Sequence, residues 1–144
     1  MKMKIIKPTV FLTVLMLTLC VAGQEKKTPV DVSKAFIKAE NLTWEPAGEN
    51  VRRQVMGWNE KCMMVKVEFL KSGAVGAVHS HPHIQNSYVA SGKFEVMIGE
   101  HKRILQGGDG YFIESDIPHG VVCLEPGVLI DAFTPYRADF VSKP

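Results

Sequence analysis

The chain predicts a single all-β domain, a barrel or sandwich of short strands, and three features lead there. From about residue 51 onward, β-type runs alternate with Gly, Pro, Asn and Asp breaks at the spacing of an all-β fold. Met63, Val65, Val67 and Phe69 alternate with Lys66 and Glu68, which is the two-residue period of a strand with one buried and one wet face. No long amphipathic helix, short-period repeat or low-complexity tract interrupts the series. At 144 residues, 46% apolar and 8% aromatic, the chain carries enough apolar surface for one ordinary core.

The first residues read as a targeting segment. Lys2, Lys4 and Lys7 precede an apolar run from Val10 to Ala22 that holds no acidic residue, the layout of a secretory signal peptide. The run is short for a bilayer span. Val21 and Gly23 are small enough for cleavage before Gln24, so export to the periplasm with loss of residues 1–23 is expected. Leu17-Thr18-Leu19-Cys20 offers an alternative: it is similar to a bacterial lipobox, although Leu19 stands where a small residue is expected, and lipidation of Cys20 would tether the protein to a membrane. An uncleaved anchor is the third reading. Residues 24–34, polar and lysine-rich with Pro29, read as a tether, and residues 35–144 as the folded domain.

Removing Lys2, Lys4 and Lys7 from the 17 basic residues leaves 14 against 15 acidic ones, so the formal charge of +2 becomes −1. The basicity belongs to the targeting segment, and no nucleic-acid partner is expected. Cys62 and Cys123 remain after cleavage. An oxidising compartment permits a bridge between them if the fold brings them within reach, and separate thiols otherwise; no C-x-x-C pair is present.

Along the domain, Ala35 to Trp44 reads as a helical turn or an edge segment. Strands are expected at Val51–Trp58, Cys62–Leu70, Ser87–Ala90, Phe94–Ile98, Arg103–Leu105, Tyr111–Ile113, Gly120–Leu124 and Val128–Thr134. Within the last, Leu129, Asp131 and Phe133 share one face, opposite Val128, Ile130 and Ala132. Asp131 thus interrupts an apolar strand, and a buried carboxylate is costly unless it is paired or used.

His79-Ser80-His81-Pro82-His83-Ile84-Gln85 concentrates three of the chain's five histidines. Two histidines one residue apart on a strand project from the same face and can converge on one ion. His83 has the same parity, but Pro82 distorts the segment and makes His83 a loop residue. His101, in Gly99-Glu100-His101-Lys102, reads as an exposed turn residue.

Gly73, His79, His81, Gln85 and Gly92 reproduce the spacing of the first motif of the cupin superfamily. Gly108-Asp109-Gly110-Tyr111-Phe112-Ile113, continuing to Ile117-Pro118-His119-Gly120, resembles the second. The resemblance covers roughly Val51 to Phe140. It implies a single-domain jelly-roll β-barrel with glycines turning between strands, and one divalent metal ion on His79, His81, Gln85 and His119. Two departures stand out: Gln85 replaces the common glutamate, and Glu114-Ser115 occupies a place where many cupins have proline, with an effect expected on loop stiffness alone. Three imidazoles and a carboxamide are neutral, so a bound ion keeps its full charge, which favours Lewis-acid work. Nickel, zinc, iron or manganese suits such donors. Gln85 is alternatively a residue that orients a histidine or a water.

Within the cupins, His-Ser-His-Pro-His with Gln85, Pro118-His119-Gly120, and Asp131-Ala132-Phe133-Thr134-Pro135-Tyr136-Arg137 resemble the KdgF-like proteins that open the ring of unsaturated uronates. The resemblance implies a metal-dependent enzyme acting on a small anionic sugar and expected as a homodimer. Asp131 and Arg137 are the implied catalytic pair, with Arg137, Phe133 and Tyr88 against the substrate; Phe112 is a further candidate wall or a core residue. Arg137 either clamps the substrate carboxylate or pairs with Asp139. An iron-dependent dioxygenase and a non-catalytic sugar- or anion-binding cupin are the competing functions. Mass spectrometry of the exported protein should find Gln24, or its cyclised form, at the N-terminus; a lipidated Cys20 would reject this cleavage and leave export intact.

Overall fold

A computed structural model describes residues 35–141. The expected signal peptide (1–23) and tether (24–34) lie outside the described residues. Eight antiparallel strands follow a short 3-10 turn at Ala39–Asn41: β1 Glu45–Gly48, β2 Val51–Asn59, β3 Cys62–Phe69, β4 Val75–His79, β5 Ile84–Ile98, β6 His101–Gln106, β7 Gly110–Ile113 and β8 His119–Thr134. A single helical turn, α1 Ala138–Val141, ends the described chain. The strand order is β1-β2-β3-β8-β5-β6, with β4 added to β8 and β7 to β5.

Two expected breaks between strands are bends within strands. Ser87–Ala90 and Phe94–Ile98 belong to one strand, β5, and Gly120–Leu124 and Val128–Thr134 to another, β8. The two pair along their length, from Ile84 opposite Thr134 to Ile98 opposite His119. Between Val89 and Phe94 the register shifts three times, with one extra residue on β5 and two on β8, and the single extra residue on β5 reverses which of its side chains face inward. Gln85, Ser87 and Val89 are buried before the bend, Phe94 and Val96 after it.

Each long strand therefore serves two faces. Before the bend β5 pairs with β7 and after it with β6, while β8 pairs with β4 at its start and β3 at its end. Phe69 of β3 meets Phe94 of β5 edge to face at 5.1 Å, joining the two faces through a core that also holds Val51, Val89, Val96, Cys123 and Leu129. A second buried cluster of Met63, Val65 and Phe133 packs with Tyr136, Phe140 and Val141, so the segment after β8 is part of the fold. Cys62 is exposed, Cys123 is buried, and both are free thiols.

The bend depends on two glycines crossing closely. A methyl group on Gly92 would lie 2.6 Å from the Glu125 carbonyl oxygen and 2.7 Å from Gly127 Cα, and the Gly92 φ of 82° disfavours any side chain. Gly92, expected in a turn between strands, instead bends one strand. Gly92→Ala should cost about 3 kcal/mol or more, because left-handed strain adds to overpacking against unyielding backbone. Gly99→Ala, at φ 57° with open space around it, should cost only about 1–2 kcal/mol. Urea midpoints of the two variants test the difference, and equal midpoints would count against the crossing.

Candidate metal centre and its cavity

His79 is the last residue of β4 and stands opposite His119, the first of β8. Gln85 lies near the start of β5, beside Phe133 of β8. His81 occupies the loop that joins β4 to β5. One ligand nitrogen from each of His79, His81 and His119 lies within 4.8 Å of the others. His81 and His119 are buried, and His79 is exposed at the rim.

The two histidines of His-x-His do not share a strand, contrary to expectation. The strand ends at His79, and Pro82, which lacks an N–H, cannot carry a ladder through the connection. Their rings nevertheless converge to 5.4 Å because the loop is tied back. Ser115 Oγ donates to the Pro82 carbonyl at 2.8 Å, and the Asp116 N–H donates to the His81 carbonyl at 2.8 Å. Ser115, expected to matter only for the stiffness of its own loop, anchors the histidine loop.

Every ring of the trio turns Nδ1 to a backbone carbonyl: His79 to Ala77 at 2.8 Å, His81 to His83 at 3.0 Å and His119 to Ile117 at 2.8 Å. A carbonyl accepts only from an N–H, so each neutral ring carries its proton on Nδ1 and keeps a lone pair on Nε2. His119 Nε2 is buried without a hydrogen-bond partner. His81 Nε2 faces Gln85 Oε1 at 3.1 Å, lone pair against lone pair unless a cation lies between them or the ring takes a second proton. Burial first, and the Arg137 charge second, hold the His81 pKa below the ordinary histidine value, against the pull of the Gln85 and His83 oxygens that would accept from the doubly protonated ring. Burial likewise lowers His119. Orphaned and opposed lone pairs on neutral donors are what a divalent ion satisfies, and the three histidines are close enough to hold one.

A chain of buried polar groups continues behind Gln85. Gln85 Nε2 donates to Ser87 Oγ at 2.9 Å, and Ser87 Oγ donates to Asp131 Oδ1 at 2.5 Å. Burial raises the Asp131 pKa to about 6, opposed by hydrogen bonds from Ser87 and Gln85 and by the nearby His79. Burial, and next the Asp131 charge, push the Tyr111 phenol up, against the pull of nearby Ser87.

Asp131, Gln85, Tyr111, His79, His119, Phe133, Arg137 and Phe140 share a cavity of about 280 Å³. Of the two expectations for Arg137, the structure shows the pairing with Asp139. Arg137 grips Asp139 through Nε at 2.9 Å and Nη2 at 2.7 Å, which keeps the Asp139 carboxyl below its usual range, and it lines the cavity with N–H donors left over. Phe133 is buried with its ring 5.6 Å from His81.

Tyr88 and Phe112 are not brought into this cavity: both are about half exposed, on the outer face of their strands. The aromatic hydroxyl near Gln85 belongs to Tyr111, which sequence reasoning did not single out, as it did not single out Ser87, Arg53 or Phe140. Strand parity carried a signal, since Ser87 shares the face of Gln85 and Tyr88 cannot. The mature protein should bind about one divalent ion per chain. Elemental analysis should find it absent when His79, His81 and His119 are replaced together, and undiminished metal in a folded triple variant would refute the site.

Comparison with known proteins places the chain among relatives. The model of the Cupin domain family matches residues 66–133. The chain is 50% identical over 104 residues to the pectin degradation protein KdgF of Dickeya dadantii (strain 3937), covering 71% of this chain and 94% of that protein. It is similar to an RmlC-like cupin from Shewanella frigidimarina NCIMB 400, with 41% identity, a TM-score of 0.70, and 73% of this chain and 94% of that one covered. It is also similar to KdgF from Halomonas sp., with 36% identity, a TM-score of 0.69, and 73% and 98% covered. With its jelly-roll fold, its histidine trio and these relatives, the chain belongs to the cupin superfamily and, within it, to the KdgF-like proteins.

Proposed function

We propose that this protein opens the ring of 4,5-unsaturated uronate monosaccharides, the products of polysaccharide lyases, to give linear 4-deoxy-5-keto uronates. The observation that carries the reading is one cavity lined by His79 and His119 of the three-histidine cluster, a buried carboxyl and a partly engaged guanidinium. The relationship to KdgF, a pectin degradation protein, supports it. The cavity of about 280 Å³ lies near the lower end of the roughly 300–1,000 Å³ typical of small-molecule sites, which suits a monosaccharide.

The reaction adds a proton at C4 and the oxygen of water at C5 of the enol ether. The resulting hemiketal opens to a C5 ketone, and the C1 hydrate released with it loses water to the aldehyde, so the overall change is an isomerisation. His79, His81, His119 and Gln85 Oε1 would hold the divalent ion. Such an ion, when bound, supplies Lewis acidity toward substrate oxygens. Asp131, the carboxyl on the cavity wall, moves the proton at C4. Arg137 anchors the substrate carboxylate with the N–H groups that Asp139 leaves free. Phe133 and Phe140 form apolar walls against the sugar ring.

The test is incubation of the metal-loaded mature protein with lyase-generated unsaturated uronate, following loss of the enol-ether absorbance against the spontaneous rate. Asp131→Asn should retain metal and lose roughly 10²–10⁴-fold in rate. Thermal unfolding measured alongside guards against a strand weakened by the lost hydrogen bond. Equal turnover by folded, metal-loaded wild-type and variant proteins would remove Asp131 from the mechanism. Absence of turnover by the wild type would overturn the reading in favour of oxygen chemistry or plain ligand binding.

A further inference from the structure

We propose that Ser87 is a positioning residue whose hydroxyl decides which end of the Gln85 carboxamide faces the histidines. The proposal rests on the reading of Gln85 Oε1 as a metal ligand and deepens it.

A carboxamide is nearly symmetric in shape but not in chemistry, so its two orientations must be distinguished by partners at both ends. At the histidine end, taken alone, the flipped orientation is the better one. It would turn an N–H toward the His81 Nε2 lone pair, 3.1 Å from where Oε1 stands, and so occupy a nitrogen the ion needs. The opposite end overrides this. Ser87 is 2% exposed, so water cannot relax its bonding, and its hydroxyl lies between Gln85 and Asp131. Its single proton goes to Asp131 Oδ1 at 2.5 Å. One of its lone pairs then receives the Gln85 N–H at 2.9 Å. A hydroxyl has a single proton to give, and here it is spent. With its proton committed to a carboxylate, Ser87 can only accept from Gln85, and the carboxamide must present nitrogen to Ser87 and oxygen to His81.

The backbone supports this geometry. Ser87 is two residues after Gln85 on β5, hence on the same face, and it stands opposite Asp131 on β8. Polarity therefore passes from the Asp131 carboxylate through one hydroxyl to the ligand oxygen, with every link fixed by strand register.

Zinc and cobalt affinities of the full mature protein, measured by competition with a chromophoric chelator, test the proposal together with the cobalt absorption spectrum. Ser87→Ala should weaken metal binding about 10–100-fold and alter the cobalt bands, as loss of a ligand-orienting group does. Ser87→Thr, which keeps the hydroxyl, should restore both. The deciding comparison is the same Ser87→Ala change in a Gln85→Glu background. A carboxylate has two equivalent oxygens and no orientation to set, so the loss there should be smaller than about threefold, set against the loss in the Gln85 protein. Equal losses in the two backgrounds would overturn the positioning role and leave Gln85 as a ligand. A Gln85→Leu protein with undiminished affinity would overturn both readings. Should Ser87→Ala fail to fold, Ser87→Cys, a near-isosteric change to a weak hydrogen-bonding group, is put through the same comparison with the same expected outcomes.

Discussion

β5 and β8 pair antiparallel from Ile84 against Thr134 to Ile98 against His119, and almost every other feature of the domain is attached to one of them. Neither is straight. A close crossing of Gly92 and Gly127 and a bulged register between Val89 and Phe94 bend the pair, so that one half packs with β3 and β7 and the other with β4 and β6. A bulge increases local twist and re-aims side chains. Here it lets Gln85 and Ser87 face inward on one half of β5 while Phe94 and Val96 face inward on the other. Gln85 and Ser87 of the site and Phe94 and Val96 of the core thus lie on one strand, and the site inherits the rigidity of the core.

The polar stretch carries the larger energetic burden. Gln54, His81, Gln85, Ser87, His119 and Asp131 are buried, and each unsatisfied buried polar group costs roughly 1–3 kcal/mol. Backbone carbonyls satisfy one nitrogen of every histidine in the trio, and the Gln85–Ser87–Asp131 chain satisfies itself. Apart from His83 Nδ1 in the connecting loop, what stays uncompensated among the described side chains gathers at one place: the orphaned Nε2 of His119 and the facing lone pairs of His81 and Gln85. Concentrated dissatisfaction of this kind distinguishes a ligand site from a cluster of structural histidines.

The segment after β8 completes the cavity. Phe140 of α1 lies against two guanidiniums, Arg53 at 3.7 Å and Arg137 at 4.4 Å, and each arginine is neutralised by its own carboxylate, Glu45 and Asp139. Stacking on an aromatic ring restrains a guanidinium while leaving N–H groups at its edge. A four-residue helix could not hold such an arrangement alone. It is held by the apolar contacts of Phe140 and Val141 with Met63, Val65 and Phe133.

Sequence by itself determined the strand class, the inward alternation of Leu129, Asp131 and Phe133, and the spacing of His79, His81, Gln85 and His119, because period-two patterning and motif spacing are local properties of the chain. Gly92 and the Glu125-Pro126-Gly127 stretch read as breaks, because a turn and a bulged bend draw on the same residues. Only the tertiary structure decided that the runs on either side join into two long strands, since that depends on a partner passing within van der Waals distance. It also decided that His81 reaches the site from a loop tied by Ser115 and Asp116, that Tyr88 and Phe112 face outward, and that Tyr111 and Ser87 sit behind Gln85. The physical reason is common to all three: which groups meet across a barrel is set by register between segments distant in sequence. Asp131 and Ser87, 44 residues apart, share one proton only because β5 and β8 are in step.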